Sequence, residues 1–265
     1  MHQAGDKIPA KFYKYRPMNT SELVQRVEMI VLDNEIFFAP PSSFNDPFDL
    51  KPAFSLEAPP ERQHEDFLRL SRKYLPHLSD AQHNAKADSV LAKSLNTENI
   101  AGTVAIIQAL HAQVLTGVGV FCVSTKHDDI LMWSHYADSH RGVCLEFDGM
   151  APLLAHAQQV SYSRKRAPIN HYADNNLAMM EKALLTKSEL WAYEAEWRLC
   201  RLDGPGAVRF RPRNLTGIIL GALASRDTLD TVRKWAAQRT NPLTIYRATT
   251  SAQDFELLIG PCNRG

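Results

Sequence analysis

The sequence predicts a mixed α+β fold that carries an all-helical insertion, and three observations predict it. Near-continuous apolar runs such as GVGVFCVST (117–125) and GIILG (217–221) have the character of strands covered on both faces. Other stretches repeat apolar residues at helical spacing, with Leu23, Val24, Val27, Ile30 and Val31 the clearest set. Residues 57–116 hold polar helical patterns with little strand character. With 265 residues, 45% of them hydrophobic and 22% charged, the chain has an ordinary globular composition. We expect a single α+β domain over 1–265 with a helical insertion at 57–116.

KFYKYR (11–16) reads as a strand with Tyr13 and Tyr15 on one face and Lys14 and Arg16 on the other; Pro17 stops it. Asn19, Thr20 or Ser21 caps a helix over 21–31, and EIFFA (35–39) is a second strand. SSFNDPFD (42–49) spells a tight Asx-Pro turn, with Phe44 and Phe48 expected to anchor it. Helices follow at 61–74, 80–95 and 97–115, the last with a stripe of Ile100, Val104, Ile107, Leu110 and Leu115. After the 117–125 strand, Asp128-Asp129 caps a helix that Gly142 ends, and GVCLEFD (142–148) alternates as a strand. A short strand at 160–162, a helix at 175–191 and a strand over AYEAEWRLCRL (192–202) come next. VRFRPRN (208–214) sets Arg209, Arg211 and Arg213 on one face. A buried strand at 217–221, a helix at 228–238 and strands near 243–247 and 255–259 complete the chain.

The balance of charge is +1, so no global field points to nucleic acid or to a basic partner. Cys122, Cys144, Cys200 and Cys262 form no CxxC, which fits a reducing cytosol. The first seventeen residues contain no apolar core of a signal peptide, and no run reaches the length of a membrane span. We therefore expect a cytoplasmic protein without a membrane partner. GxGxxG, Walker and GxSxG motifs are absent, which weighs against dinucleotide-dehydrogenase, P-loop and α/β-hydrolase chemistry.

The densest chemistry lies in LMWSHYADSHRGVCLEFD (131–148). His135 and His140 stand five apart, a poor spacing for one ion on a helix, so no metal site is expected there. Glu194 and Glu196 would share a strand face and repel, which suits acid/base work or support of an oxocarbenium-like centre; ion pairing with Arg198 or with the Arg209 row is the competing account. Arg164-Lys165-Arg166 and the Arg209 row would meet phosphates or serve as a charged, unpaired edge.

The ordered set YKYR, SFNDPFD, FCVST, LMWSHYADSHRGVCLEFD, V-x-Y and W-x-Y-E-x-E-W-R-L resembles a bacterial family catalogued as domain of unknown function 2971, over most of the chain except the helical middle and the C-terminal tail. That family implies no activity. The motif order is also similar to that of ADP-ribosyltransferases, which implies a split pair of small mixed or antiparallel sheets holding NAD in a cleft. By that resemblance Lys14, Tyr15 and Arg16 would meet the NAD phosphates or ribose, and Ser124 would stand at the end of the middle strand. Trp133, His135 and Tyr136 would wall the nicotinamide. Glu196 would stabilise the oxocarbenium while Glu194 activates the acceptor, a protein or a nucleic acid. Two departures stand out: Lys126 replaces a second Ser after Ser124-Thr125, and Lys14 stands where one branch has His. The expected function is an NAD-dependent ADP-ribosyltransferase or NAD glycohydrolase, a toxin or anti-phage effector. The alternatives are a metal-dependent nuclease or phosphodiesterase, or a non-catalytic module that binds a nucleotide or partner in a defence system.

Overall fold

The computed structural model describes residues 8–94, 97–166 and 168–262. In chain order it begins with β1 (Lys11–Arg16), α1 (Ser21–Val31) and β2 (Glu35–Phe38). Next come β3 (Phe54–Ser55) and three helices, α2 (Pro60–Tyr74), α3 (Asp80–Ser94) and α4 (Thr97–Leu115). Strand β4 (Gly119–Ser124), helix α5 (Ile130–Tyr136) and strand β5 (Val143–Asp148) follow. Then come β6 (Gln158–Gln159), β7 (Ser161–Ser163), β8 (Ile169–Asn170), α6 (Asn176–Leu185) and β9 (Thr186–Ser188). The chain closes with β10 (Glu196–Arg201), β11 (Gly206–Arg209), β12 (Leu215–Leu220), α7 (Arg226–Gln238), β13 (Thr244–Thr250) and β14 (Leu257–Pro261). The fold is mixed α+β, as the alternation of apolar runs and helical spacings implies.

Two compact units divide these elements: residues 1–43, 117–162 and 189–265 form the first, and 44–116 with 163–188 the second. The first is built on a large sheet in the order β14-β13-β12-β5-β1-β4-β10-β6, with β2 and β11 paired in a separate two-stranded sheet; the expectation was a split pair of small sheets. Its pairs are antiparallel except β12 with β13, which run parallel through α7. Alternation sends Phe12, Phe121, Val123, Leu145, Phe147, Trp197, Leu199 and Ile218 to one face, where α1 and α7 add Val27, Ile30, Val232 and Trp235. The other face carries Tyr13, Tyr15, Cys144 and Ile219, covered by Met132, Trp133 and Ala137 of the α5 region. Pairing is uneven along β1. Six registered pairs join it to β5, but Tyr13↔Ser124 alone registers it with β4, which bridges to Ala39 at Val120. The sheet is therefore nearly parted at the β1–β4 seam.

In the second unit the helical expectations over 61–115 are met by α2, α3 and α4. Along α4, Val104 and Ile107 are half-buried and Leu115 is buried, but Leu110 is exposed; the side chain of Ile100 falls outside those described. His111 packs edge-on against Phe54, 5.1 Å between centroids. The Asx turn forms, with Phe48 N donating to Asp46 Oδ1 at 2.8 Å. Phe48 is not its anchor, because it is largely exposed with the Arg166 guanidinium 5.7 Å over its ring. Buried Asp46 and Asp49 hold the turn instead, Asp49 facing Lys187 at 3.6 Å.

Candidate functional site

The local backbone departs from sequence expectation at the two places where the chemistry gathers. The helix expected to run to Gly142 ends at Tyr136, because Asp138, Ser139 and His140 take left-handed φ angles of 49°, 49° and 68°. Asp129 caps its start by accepting from Leu131 N and Met132 N. Gly142 is needed after the turn: a Cβ there would stand 2.2 Å from the Arg16 carbonyl oxygen. His140 folds back to stack on Trp133, centroids 6.5 Å apart. The second departure follows α6, which stops at Leu185 where a helix to 191 was expected. A 3-10 segment at Glu189–Glu194 follows, then Ala195 at φ 43° and strand β10. Glu194 and Glu196 are thus not neighbours on one strand face; a left-handed residue separates a 3-10 carboxylate from a strand carboxylate.

Both carboxylates nevertheless lie deep, Glu194 at 3% exposure and Glu196 at 4%. Tyr136 donates its hydroxyl to Glu194 Oε1 at 2.6 Å. Burial, then the neighbouring Glu194 charge, pushes the Tyr136 phenol well above its usual range, so it keeps its proton and donates this hydrogen bond at any working pH. Glu196 accepts a fork from Arg198, Nε at 2.8 Å and Nη2 at 3.0 Å. Arg198 is fully buried, and the ion-pairing account of the E-x-E motif is the one its geometry follows. Burial first, then the Glu196 charge, raises the Cys122 thiol, which leaves it inert as a nucleophile. The Tyr162 hydroxyl accepts from Glu196 N at 2.8 Å.

Register aligns three of the motif strands. Tyr13 pairs with Ser124, and Ser124 with Glu196, so the three side chains form one row on the α5-covered face. The Ser124 hydroxyl donates to the Glu194 carbonyl at 2.6 Å and accepts from Lys126 N at 2.9 Å, tying the end of β4 to the 3-10 segment. Tyr15 shares that face and donates to the Lys126 carbonyl at 3.0 Å. Over the carboxylates, His135 bonds the Tyr193 hydroxyl through Nδ1 at 2.9 Å, and its ring centroid lies 6.3 Å from that of Trp191. His135 is exposed while Trp191, Tyr193 and Tyr136 are half-buried, which makes an aromatic wall open to solvent.

Three predicted site residues stand elsewhere. Trp133 is fully buried, edge-on to Tyr15 at 5.1 Å with its indole N–H on the His127 carbonyl, so it supports the wall from behind. Lys14 and Arg16 point to the opposite face of the sheet, the Lys14 ammonium 5.0 Å over the Phe121 ring. Arg198, Trp191, Tyr193 and Tyr162 were missed as site residues. Arg198 was legible from its place two residues after Glu196 on one strand. Trp191 and Tyr193 sit in the W-x-Y-E-x-E motif but are brought to His135 only by the 3-10 turn. Among the described residues no three His, Cys, Asp or Glu side chains converge as metal ligands, and no helix is long and apolar enough to cross a membrane.

The stretch that matches a family model is the one holding this site. Residues 132–199 match the family described as Protein of unknown function (DUF2971), the family to which the ordered motifs pointed. The match runs from Met132 of α5 through Leu199 of β10, so it includes His135, Tyr136, Glu194, Glu196 and Arg198. No curated protein and no solved structure matches the chain.

Proposed function

We propose that the first unit uses NAD as an ADP-ribosyltransferase or NAD glycohydrolase, in the setting of a toxin or anti-phage effector. The observation that carries the reading is the row Tyr13–Ser124–Glu196 across adjacent strands, with Glu194 held by Tyr136 next to His135 of the aromatic wall. In this mechanism the nicotinamide ring stacks on the wall. The bond between its nitrogen and the ribose breaks, and the bonding pair leaves with nicotinamide. Arg198 holds Glu196 in its anionic form, the form that stabilises the oxocarbenium. The acceptor, water or a macromolecular N–H or O–H, attacks the ribose carbon and passes its proton to Glu194. Incubation of the pure protein with NAD is expected to release nicotinamide. Glu194→Gln, which still accepts from Tyr136, is expected to lower transfer of the ADP-ribosyl group to the acceptor at least a hundredfold while the circular dichroism spectrum stays unchanged. Failure of the wild type to release nicotinamide or to modify protein, RNA or DNA in a lysate would sink the proposal.

One observation favours a second reading, a nucleotide-binding module without turnover: both Glu196 oxygens are engaged by Arg198 and the Ser124 hydroxyl is spent on a backbone carbonyl. That reading expects NAD to raise the melting temperature with no nicotinamide formed.

A further inference from the structure

The other face of the sheet has two cations that the proposed chemistry leaves unused. Beyond Tyr13↔Ser124, β4 leaves β1 and bridges to Ala39 at Val120. The Lys14 ammonium stands in for the missing ladder by donating to the Cys122 carbonyl at 2.6 Å. Arg16, two residues on and on the same face, is half-buried. Its Nε is closed to water, and its guanidinium has no hydrogen bond or ion pair to any described residue. A guanidinium nitrogen closed to water normally has its donor filled, because leaving one unpaired costs about 1–3 kcal/mol. Burial first, then repulsion from Arg16, lowers Lys14 to about 8, with Cys122, Glu196 and Glu194 partly offsetting it. Burial, then repulsion from Arg26, lowers Arg16 to about 10, with Cys122 offsetting. Arg16 and Lys14 stand two residues apart on one face of β1, so an anion between them is stabilised by both.

We propose that Arg16 and Lys14 form a phosphate-binding site at the β1–β4 seam, on the face of the sheet opposite Glu194 and Glu196. A phosphate group fits better than a carboxylate. Its charge of about −1.5 to −2 matches two cations, and its oxygens accept from the guanidinium fork and the ammonium together. Arg26 adds positive field from α1 but is already paired with Glu22 at 2.6 Å. The site does not depend on the NAD reading, since it shares no side chain with the carboxylate cluster.

The test measures the melting temperature of the full chain at pH 7 and fixed ionic strength, with inorganic phosphate replacing chloride, and then calorimetric affinity for phosphate and for ADP. Phosphate is expected to raise the melting temperature of the wild type, and Arg16→Gln to weaken phosphate about tenfold or more, the loss of one charge-assisted contact. Without phosphate, Arg16→Gln is expected to melt no lower than the wild type, because the replaced charge had no partner. If Arg16→Gln does not fold, Lys14→Gln makes the same comparison, since its amide still donates to the Cys122 carbonyl. ADP binding that is tighter than phosphate and weakened in Arg16→Gln assigns the site to a nucleotide, and equal affinity to free phosphate; both support the site. Glu194→Gln should leave phosphate binding intact whether or not nicotinamide is released. No phosphate-dependent shift in the wild type, or an equal shift in Arg16→Gln, overturns the proposal, as does loss of the shift in Glu194→Gln.

Discussion

The two faces of the eight-stranded sheet are stabilised by different physics. One face is a large apolar cluster in which Phe12, Phe121, Phe147, Trp197 and Trp235 meet, with hydrophobic burial as its main term. The other has a smaller apolar cluster around Trp133 and beside it a buried ion pair, a buried carboxylate and a buried serine. Desolvating such groups costs several kcal/mol each unless geometry repays it. A chain that needed only stability would not bury Glu194, Glu196 and Arg198 here. The contrast separates the parts of the sheet that hold the fold from the part that carries the candidate site.

The largest expected effect breaks that contrast at its most charged point. Arg198→Met strands Glu196 in the interior and is expected to cost about 3–5 kcal/mol in urea unfolding. Phe12→Ala on the other face is expected to cost about the same, about 3–5 kcal/mol, through a cavity. The two losses differ in how they can be repaired. Glu196→Met added to Arg198→Met should recover most of the stability, whereas no partner change refills the Phe12 site. A double variant as weak as Arg198→Met alone would show that the pair acts through packing and not charge.

The apolar face was the legible one. Alternation in KFYKYR and GVCLEFD placed Phe12, Leu145 and Phe147 together, and the helical spacing of 21–31 gave α1 its observed bounds. The face with the candidate site was less legible for a physical reason. Its geometry depends on left-handed residues at Asp138, Ser139, His140 and Ala195, none of them glycine, so nothing in the letters announces the turns. The same turns bring Trp191 and Tyr193 to His135 and separate Glu194 from Glu196. The seam between β1 and β4 was equally hidden, because strand pairing is a long-range choice that local propensity does not carry.

A smaller effect probes the hydrogen bond from Tyr136 to Glu194. Tyr136→Phe removes a donor from a buried carboxylate and should cost about 1–3 kcal/mol. Its stability loss should be smaller in the Glu194→Gln background, where a neutral amide oxygen and not a charge loses its donor. Equal losses in both backgrounds would mean that the phenol serves only to fill space.

The smallest effect is expected from Lys14, on the apolar face, and it is visible only against pH. Its folded pKa of about 8 lies below the unfolded value of 10.5. Between those values the unfolded chain binds more protons than the folded one, so stability contributed by this group rises with pH from about 8 to 10.5. Tyr13 and Tyr136 have raised pKa values and keep their protons when folded, which lowers stability only above the ordinary phenol value of 10.0. The thiols of Cys122, Cys144 and Cys200 are likewise raised by burial and lower stability above their ordinary value of 9.0, so the window from about 8 to 9 reports on Lys14 before thiols and phenols intervene. The free energy of unfolding, followed across that window, should rise in the wild type more steeply than in Lys14→Met. Phosphate bound at the seam favours the charged ammonium and should flatten the wild-type slope, since it raises the folded pKa toward the unfolded one. A wild-type slope matching that of Lys14→Met would place the ammonium in water and remove the charge asymmetry between the two faces.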